Sequence, residues 1–435
     1  MNRVEEKNHD WYEASLSELC RVVGGGTPSR ANPLYWKGEI PWASVKDFND
    51  DSVYLRTTEE RISNDGLLSS SSRLVPENTP LVCTRMAVGR CALTVHPTAI
   101  NQDVKALIPN DSIVPEFLVR LLYFHADNLM RIAIGSTVKG ISTGQLLALR
   151  VCYPEIDEQQ RIASVLNTLD TVIEKSESLI AKLKQVRTGM LHDLLTCGVD
   201  ENGKIRDPLL NLEQFQDSPF GSVPSTWSIE TLGVRLLRCK GRIQTGPFGS
   251  QLHASEYTIQ GIPVVMPQDI DGGNISEANI ARISNKRAAE LFRHKFQCND
   301  LVFARRGDLG RCAVINQLET GWLCGTGCLL MRFEPKDLLP EWLSLAYRHD
   351  IGQRQIAARA VGTTMVNLNT GILNHLIFPF PPMDEQHVIV DMLDGIDSSI
   401  AEENDNLKKA LTLKIGLSAD LLTGQTRIPP NLELP

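Results

Sequence analysis

Two short segments of the 435-residue chain have residue types that could hold a nucleotide. Residues 198–205 come close to the phosphate-binding pattern G-x-x-x-x-G-K-[ST], in which backbone amides and a lysine cradle phosphates. However, Ile205 stands where magnesium binding requires Ser or Thr, and the preceding residues have a helical pattern where the motif requires a strand. Residues 384–387 (Asp-Glu-Gln-His) have the letters of a helicase box, but the first three letters recur at 157–159, where another helical pattern begins. The sequence therefore predicts no ATP site.

A third segment has residue types that could grip a base extruded from DNA. Asn32-Pro33-Leu34-Tyr35 is similar to the Asn-Pro-Pro-Tyr loop of adenine N6 methyltransferases, and glycines occupy positions 24–26 just upstream. Such an enzyme needs a doubly wound sheet with a cofactor crevice, and the residues before Asn32 are too few to build one. We therefore expect a turn here. An enzyme with its own methyl transfer stays an alternative, which binding of labelled S-adenosylmethionine to the isolated chain would decide.

Polar and basic side chains near glycine-rich loops could instead bind DNA. Gln, Asn, Arg, Ser and Thr recognise base edges, while Lys and Arg bind phosphates. We predict DNA contacts from such residues in both halves of the chain. The candidates are Thr27, Ser29, Arg30, Lys37, Lys46, Arg85 and Arg90 in the first half, and Arg242, Gln244, Thr245, Ser250, Gln251, His253, Gln268, Arg305, Arg306 and Arg311 in the second.

Composition restricts the class of protein. With 42% hydrophobic and 22% charged residues, and no apolar run approaching the roughly 18 residues that span a bilayer, the chain is expected to be soluble and globular. Its net charge of −8 argues against indiscriminate coating of nucleic acid, although a local basic groove is compatible with it. Residues 1–10 are polar and of mixed charge, with no apolar secretory segment, so we expect a cytoplasmic protein.

The ten cysteines and nine histidines do not form a metal-binding pattern. No C-x-x-C pair occurs, the closest cysteines are Cys324 and Cys328, and the histidines do not cluster near them. We predict buried free thiols, no metal site and no cofactor held by this chain.

An internal repeat reveals the elements that position these loops. The segment from Pro154 to Leu166 (PEIDEQQRIASVL) aligns with the segment from Pro381 to Leu393 (PPMDEQHVIVDML), a shift of 227 residues. Upstream, where loop lengths differ, residues 81–85 (LVCTR) match residues 301–305 (LVFAR). No Ser/His/Asp or Cys/His set recurs in both copies, so the repeat favours binding over catalysis.

The more similar part of each copy, residues 157–197 and 384–423, has the pattern of a long helix with an acidic first turn. Apolar side chains recur in alternating four- and three-residue steps, with breaks at Ser176 and Arg187. A second apolar row widens the stripe, so each helix needs more than one packing partner. The main row is Ile162, Leu166, Leu169, Ile173, Ile180, Leu183, Met190 and Leu194, and the second row is Val165, Val172, Leu179 and Val186.

The less similar part of each copy, residues 11–155 and 221–381, contains short β-branched runs punctuated by Gly, Pro, Asn and Ser, with short helices between them. This pattern predicts an α+β module with irregular loops. Residues 199–208 are polar, which indicates a linker with a tight turn at Asn202-Gly203. Two related but divergent modules fit a duplex target with two different half-sites.

Together these motifs resemble the specificity subunit of type I restriction-modification enzymes, over nearly the whole chain. The resemblance is carried by residues 25–29 (GGTPS), 35–42 (YWKGEIPW) and 246–250 (GPFGS), by the two Pro-x-x-Asp-Glu-Gln helix starts, and by residues 192–196 (HDLLT). It implies two pseudo-symmetric α/β target recognition domains, separated by two long helices that pack antiparallel in a coiled-coil-like pair.

On this basis we predict target recognition domains at 1–155 and 221–382, and a linker at 199–220. The same resemblance predicts a central spacer helix at 156–198, a distal spacer helix at 383–424 and a C-terminal tail at 425–435.

The resemblance also implies partners. Two methyltransferase subunits are expected to dock on the chain and to bind S-adenosylmethionine, and restriction subunits that use ATP and magnesium are optional additions. The chain itself would be non-catalytic: it would bind double-stranded DNA and direct adenine methylation and restriction by these partners. A solitary or methyltransferase-only specificity subunit, without a restriction partner, stays open. The divergent loops do not reveal the DNA sequence that is recognised.

Overall fold

A computed structural model of the protein describes residues 11–49, 52–134, 140–360 and 367–429, without the side chain of Ala360. The chain divides into two compact units, Met1–Leu179 with Glu403–Pro435, and Ile180–Glu402. These bounds cut both long helices, so each unit combines one α+β module with a part of each helix. Residues 1–10, which carry the prediction of a cytoplasmic protein, lie outside the described residues, as do residues 430–435 of the predicted tail.

The first module is built from short elements, as its frequent turn residues predict, and is followed by the first long helix. Its strands are β1 (Tyr12–Ser15), β2 (Cys20–Gly24), β3 (Ile40–Ala43), β4 (Tyr54–Leu55), β5 (Glu60–Ile62), β6 (Arg73–Val75), β7 (Pro80–Cys83), β8 (Cys91–Thr94), β9 (Thr98–Ile100), β10 (Val104–Pro109) and β11 (Arg150–Tyr153). Its helices are α1 (Leu16–Leu19), α2 (Asn64–Leu68), α3 (Pro115–Phe124), α4 (Ala126–Ile132) and α5 (Thr143–Leu147), and the long helix is α6 (Ile156–Thr196).

Two mixed sheets form the body of the first module within the described residues. Their strand orders are β2-β10-β7-β8-β4 and β5-β3-β9-β6. Phe117 and Leu121 of α3 are buried with Val82 of β7 and Leu93 of β8 in one apolar cluster, so burial of this helix face holds α3 on the first sheet. The module begins and ends on a separate antiparallel pair, β1 with β11. Its two chain ends are therefore adjacent.

The second module repeats this plan. Its strands, with a preceding hairpin, are β12 (Phe215–Ser218), β13 (Gly221–Pro224), β14 (Ser228–Thr231), β15 (Arg242–Thr245), β16 (Tyr257–Thr258), β17 (Ile262–Val265), β18 (Ile270–Asp271), β19 (Asn274–Ile275), β20 (Ala281–Ile283), β21 (Leu301–Ala304), β22 (Cys312–Val314), β23 (Leu323–Cys324), β24 (Cys328–Arg332) and β25 (Ile377–Phe380). The helices are α7 (Leu232–Arg238), α8 (Asn285–Glu290), α9 (Pro340–Arg348), α10 (Asp350–Ala360) and α11 (Thr370–Asn374), followed by α12 (Met383–Leu422).

The sheets of the second module correspond to those of the first. Their orders in the described residues are β15-β24-β21-β22 and β16-β20-β17-β23. Strand β17 pairs in parallel with β23, as β3 does with β9. The antiparallel pair β14–β25 brings the ends of the second module together, as β1–β11 does in the first. The predicted fold class, with two related α+β modules and two long helices, is confirmed.

The long helices α6 and α12 are antiparallel. In the first unit Lys414 Nζ lies 2.7 Å from Asp170 Oδ1, and in the second Arg187 Nη2 donates to Asp397 Oδ2 at 2.7 Å. Residue numbers thus increase along α6 while they decrease along α12. A shift of 227 residues converts one ion pair into the other. Arg187 interrupts the apolar row because it forms this pair. No helix in the described ranges is long and apolar enough to cross a membrane.

The two Asp-Glu-Gln helix starts attach each long helix to its module through a buried glutamine. Gln159 Oε1 accepts a hydrogen bond from the N–H of Val114 at 2.8 Å. Gln386 Oε1 accepts the equivalent bond from Leu339, also at 2.8 Å. Both acceptors satisfy the first backbone donors at α3 and α9, whose N-caps offer no side-chain bond of their own. The glutamine in each of these Asp-Glu-Gln segments, which have the letters of a helicase box, therefore stabilises the packing of a long helix against its module.

Residues 199–220, predicted as a linker, are partly packed into the second unit. The predicted turn is present, because Gly203 has a φ of +74° and Asp200 N–H donates to the carbonyl of Lys204 at 2.8 Å. Val199 is buried in the apolar core, and β12 pairs with β13. This segment has more regular structure than its polar composition indicates.

All ten cysteines are free thiols, but the prediction that all are buried was wrong. Cys152 and Cys298 are exposed and Cys197 is half-buried. Burial raises the pKa of Cys20 and Cys91 to about 12, so these thiols stay protonated at neutral pH.

Candidate nucleic-acid interface

Each module presents a glycine-containing loop at the end of an equivalent strand. We call residues 24–30, which begin at the last residue of β2, the first recognition loop, and residues 245–251, which begin at the last residue of β15, the second recognition loop. A Cβ atom on Gly25 would lie 2.0 Å from the carbonyl oxygen of Ile100, and one on Gly246 would lie 1.8 Å from that of Gly325. Only glycine allows this approach. Each recognition loop is therefore pressed against the segment that follows β9 or β23.

A series of polar side-chain contacts connects the first recognition loop with Arg85. Thr27 Oγ1 donates to Gln102 Oε1 at 2.6 Å, and Gln102 Nε2 donates to Asp103 Oδ2 at 3.2 Å. Asp103 Oδ1 lies 3.5 Å from Arg85 Nη1, and the Arg85 side chain is 58% exposed. The structure thus brings together two predicted DNA-contacting residues, Thr27 and Arg85, through Gln102 and Asp103, which sequence reasoning missed.

Arg30 is held against the module by two aromatic rings and a carboxylate. Its guanidinium lies 3.5 Å from the ring centroid of Trp36, and Nη2 donates to Glu60 Oε2 at 2.7 Å. Hydrogen bonding to Arg30 lowers the pKa of Glu60, and the same bond raises the pKa of Arg30. The pair therefore stays ionised at neutral pH, and a phosphate would have to compete with Glu60 for this cation.

The other candidate DNA-contacting residues of the first module differ in their solvent exposure and in their intramolecular contacts. Ser29 and Lys37 are exposed, and Lys46 is exposed with Nζ 3.7 Å from Glu59. Arg90 Nη1 donates to the carbonyl oxygen of Phe48 at 3.1 Å, which ties two segments of the module together. DNA contact by these residues stays a prediction, and Ser29 and Lys37 require the least rearrangement.

The strand register corrects one predicted repeat pairing. Strand β7 ends at Cys83 and β21 ends at Ala304, and these two residues make equivalent bonds across their sheets. Arg85 and Arg306, each two residues further along the chain, are therefore equivalent. The predicted match of Arg85 with Arg305 is wrong by one residue. It aligned Leu81-Val82 with Leu301-Val302 because the letters are the same, whereas the strand register makes Leu81 equivalent to Val302.

The two adjacent arginines of the second module differ in environment. Arg306 is exposed, and its Nε donates to Asn367 Oδ1 at 3.2 Å. Arg305 is half-buried and occupies the place of Thr84 in the first module. Its backbone is fixed on both sides, because its N–H donates to Gly327 and its carbonyl accepts from Leu368. Arg306 is thus the more accessible cation.

Two predicted glutamines, one in strand β15 and one in the second recognition loop, have intramolecular partners. Gln244 Nε2 donates to the carbonyl of Arg293 at 3.0 Å, and Gln251 Oε1 accepts from the N–H of Phe248 at 3.0 Å. Ser250 and His253 are exposed, whereas Thr245 is half-buried at the end of β15.

The remaining candidates of the second module lie away from the loop or stabilise its backbone. Arg242 is exposed at the opposite end of β15 from Thr245, about 10 Å away at 3.3 Å per residue. Arg311 Nη1 donates to the carbonyl of Ile270 at 3.0 Å, as Arg90 does to Phe48. Gln268 is exposed and corresponds to Lys46. The structure does not join Arg242 to the loop, and it gives Arg311 a structural bond.

Two segments of the chain match a known protein family. Residues 8–185 and 261–413 match the sequence model described as Type I restriction modification DNA specificity domain. The specificity subunit of the type I restriction enzyme MjaIX from Methanocaldococcus jannaschii is 29% identical over 228 residues, which are 52% of this chain and 51% of that protein. The chain therefore spans about half the length of this relative.

Two other proteins match over nearly the full length. The MjaVIII specificity subunit of the same organism is 22% identical over 440 residues, covering 96% of this chain and 93% of that protein. The crystal structure of a type I restriction-modification S subunit from M. genitalium superposes with a TM-score of 0.58 at 16% identity, covering 96% of this chain and 98% of that one. This structural likeness supports the fold.

Proposed function

Because the chain belongs to the family of type I restriction modification DNA specificity domains, we propose that it is a DNA-reading subunit in which each module recognises one half of a bipartite site. One observation carries this proposal most directly. Arg85 and Arg306 are exposed just after equivalent strand ends, in two modules whose recognition loops differ in sequence. The same scaffold with different side chains is what two different half-sites require.

The same proposal assigns catalysis to other chains. Methyltransferase subunits would dock on this protein and bind S-adenosylmethionine, and restriction subunits would supply ATP- and magnesium-dependent cleavage. The docking surface we propose is the second apolar row of α6. Val172, Leu179 and Val186 recur every seven residues and are 45%, 44% and 45% exposed. An exposed row of this spacing is suited to pack against helices of a partner.

The test of this function is an exchange of one module. Strands β14 and β25 are paired, so residues 228–380 can be replaced by the equivalent segment of another specificity subunit without moving the chain ends. We expect methylation mapping of host DNA to show a change in one half-site, with the other half-site unchanged. A matched exchange of residues 12–153, bounded by β1 and β11, should change the other half-site. If either exchange alters both half-sites, one module per half-site is wrong.

Arg306 should contact a phosphate. Arg306→Ala is expected to weaken binding of the full chain to all duplex sequences alike, and to reduce the slope of log affinity against log salt by about 0.9. Arg242→Ala is the control, because this exposed arginine lies at the other end of β15. The measurement is a salt titration of binding to one specific and one unrelated duplex. An unchanged slope for Arg306→Ala would remove this residue from the interface.

A further inference from the structure

The segment that supports each recognition loop has the same backbone in both modules. These segments are residues 101–103, between β9 and β10, and residues 325–327, between β23 and β24. Asn101 N–H donates to the carbonyl of Ala43 at 3.0 Å, and Gly325 N–H donates to that of Val265 at 2.9 Å. At the other end, the carbonyls of Asp103 and Gly327 each accept a backbone bond at 2.8 Å. The two backbones are therefore fixed by equivalent bonds.

The side chains on this shared backbone are different. The first module has Asn-Gln-Asp and the second has Gly-Thr-Gly. Asn101 is buried, and its Oδ1 accepts from the N–H groups of Asp103 and Val104, so it shapes the segment. The central residue, Gln102, is exposed, whereas its counterpart Thr326 is half-buried. The central position is thus the one that differs most in what it presents to solvent.

The hydrogen bonds of Gln102 leave half of its amide available. A carboxamide has two acceptor sites on oxygen and two N–H donors. Thr27 uses one acceptor site and Asp103 uses one donor. One acceptor site on Oε1 and one N–H donor on Nε2 are therefore left. That pair complements the N6–H donor and N7 acceptor which adenine presents in the major groove.

The position of the amide is also fixed in advance. Thr27 belongs to the first recognition loop, and Asp103 holds the exposed Arg85 on the other side. Gln102 therefore lies between a loop residue and a cation predicted to contact DNA. An amide that is already oriented loses less side-chain freedom on binding.

We propose that Gln102 reads the adenine of one A·T pair in the half-site of the first module. This inference rests on the proposed function. Thr326, with a single hydroxyl, cannot form the bidentate contact, so the half-site of the second module has no equivalent reading at this position. Gln102 would then be a residue that makes the two half-sites different.

The experiment is selection of bound duplexes from a randomised library by the full-length chain. Wild-type protein should yield two half-sites. Gln102→Ala should lose the preference for one A·T pair in one half-site, with a decrease of roughly 5- to 150-fold in affinity for the wild-type sequence. Gln102→Glu should shift that position toward cytosine, whose N4 amino group donates to a carboxylate. Thr326→Ala is the matched control and should leave this half-site unchanged.

The possible outcomes distinguish failure of the proposed role of Gln102 from failure of the proposed DNA-reading function. If wild-type protein selects no bipartite sequence, the proposed function fails. If wild-type protein selects two half-sites and Gln102→Ala keeps every preference, the function stands and the role of Gln102 is wrong. Loss of both half-sites in Gln102→Ala would show a structural role and would also overturn the inference, with the thermal unfolding temperature as an independent check.

Discussion

Replacing Glu385 by alanine is expected to destabilise the second unit by about 3–5 kcal/mol, because it removes the carboxylate from a guanidinium that is only 13% exposed. Glu385 is buried at the second residue after the start of α12. Arg206 Nη1 donates to its Oε1 at 2.5 Å, and the indole N–H of Trp227 donates to its Oε2 at 3.1 Å. The N–H of Val199 donates to Oε1 at 2.9 Å. One carboxylate thus accepts hydrogen bonds from three segments of the second unit.

The matched control is Glu158→Ala, the equivalent position in the first unit. Glu158 binds Arg427 through two hydrogen bonds, but the Arg427 side chain is 41% exposed and can turn to water. We expect a smaller loss of about 1–2 kcal/mol. Urea unfolding would measure the free energy of unfolding of both variants. Hydrogen exchange of the peptides that contain Val199 and Trp227 would report the local effect of Glu385→Ala in the second unit. Equal protection in Glu385→Ala and wild type would contradict the assigned role.

Charges in the second apolar row of α6 are expected to weaken assembly strongly with the methyltransferase partner that we propose. Leu179→Asp with Val186→Asp would place two carboxylates in a surface that we propose is buried against apolar partner side chains. Each unpaired buried charge costs about 3–5 kcal/mol, so the affinity for the partner should fall by roughly 100-fold or more. Copurification with the partner and methylation of host DNA would both report this loss.

The control for this pair lies on the same helix. Ser178 and Gln185 are exposed, have the same seven-residue spacing, and lie one residue earlier, about 100° around the axis. Ser178→Asp with Gln185→Asp introduces the same charges on another face. This control should retain assembly and methylation. If both double variants assemble equally well, the second apolar row is not the docking surface.

The long helices and the repeat could be predicted because the sequence patterns that indicate them lie within continuous segments of the chain. The predicted helix 157–197 is Ile156–Thr196 in the structure, and the predicted helix 384–423 is Met383–Leu422. Alternating apolar steps and an acidic first turn occur within the segment itself. The same sequence information did not reveal that Arg187 forms an ion pair with Asp397, because the partner lies on the other long helix.

The candidate site was less predictable because it is assembled from distant strands. Gln102 is 75 residues from Thr27, and its own segment lacks the glycines that drew attention to the recognition loops. Residue type alone also cannot distinguish a guanidinium that faces a backbone carbonyl, as in Arg90 and Arg311, from one that faces solvent. The difference in solvent exposure between Gln102 and Thr326 is a property of the folded modules, so comparing the sequences of the two supporting segments does not single out Gln102.

The repeated ion pair between the long helices has a consequence for the ancestry of the chain. Asp170 and Arg187 both lie on α6, and each takes its partner from α12 at the position equivalent to the other. A half-length ancestor with one such helix would have carried both members of the pair. Two copies of that ancestor could form the contact twice, by an isologous interface with true two-fold symmetry. Gene duplication and fusion would then have joined the copies and allowed each to diverge.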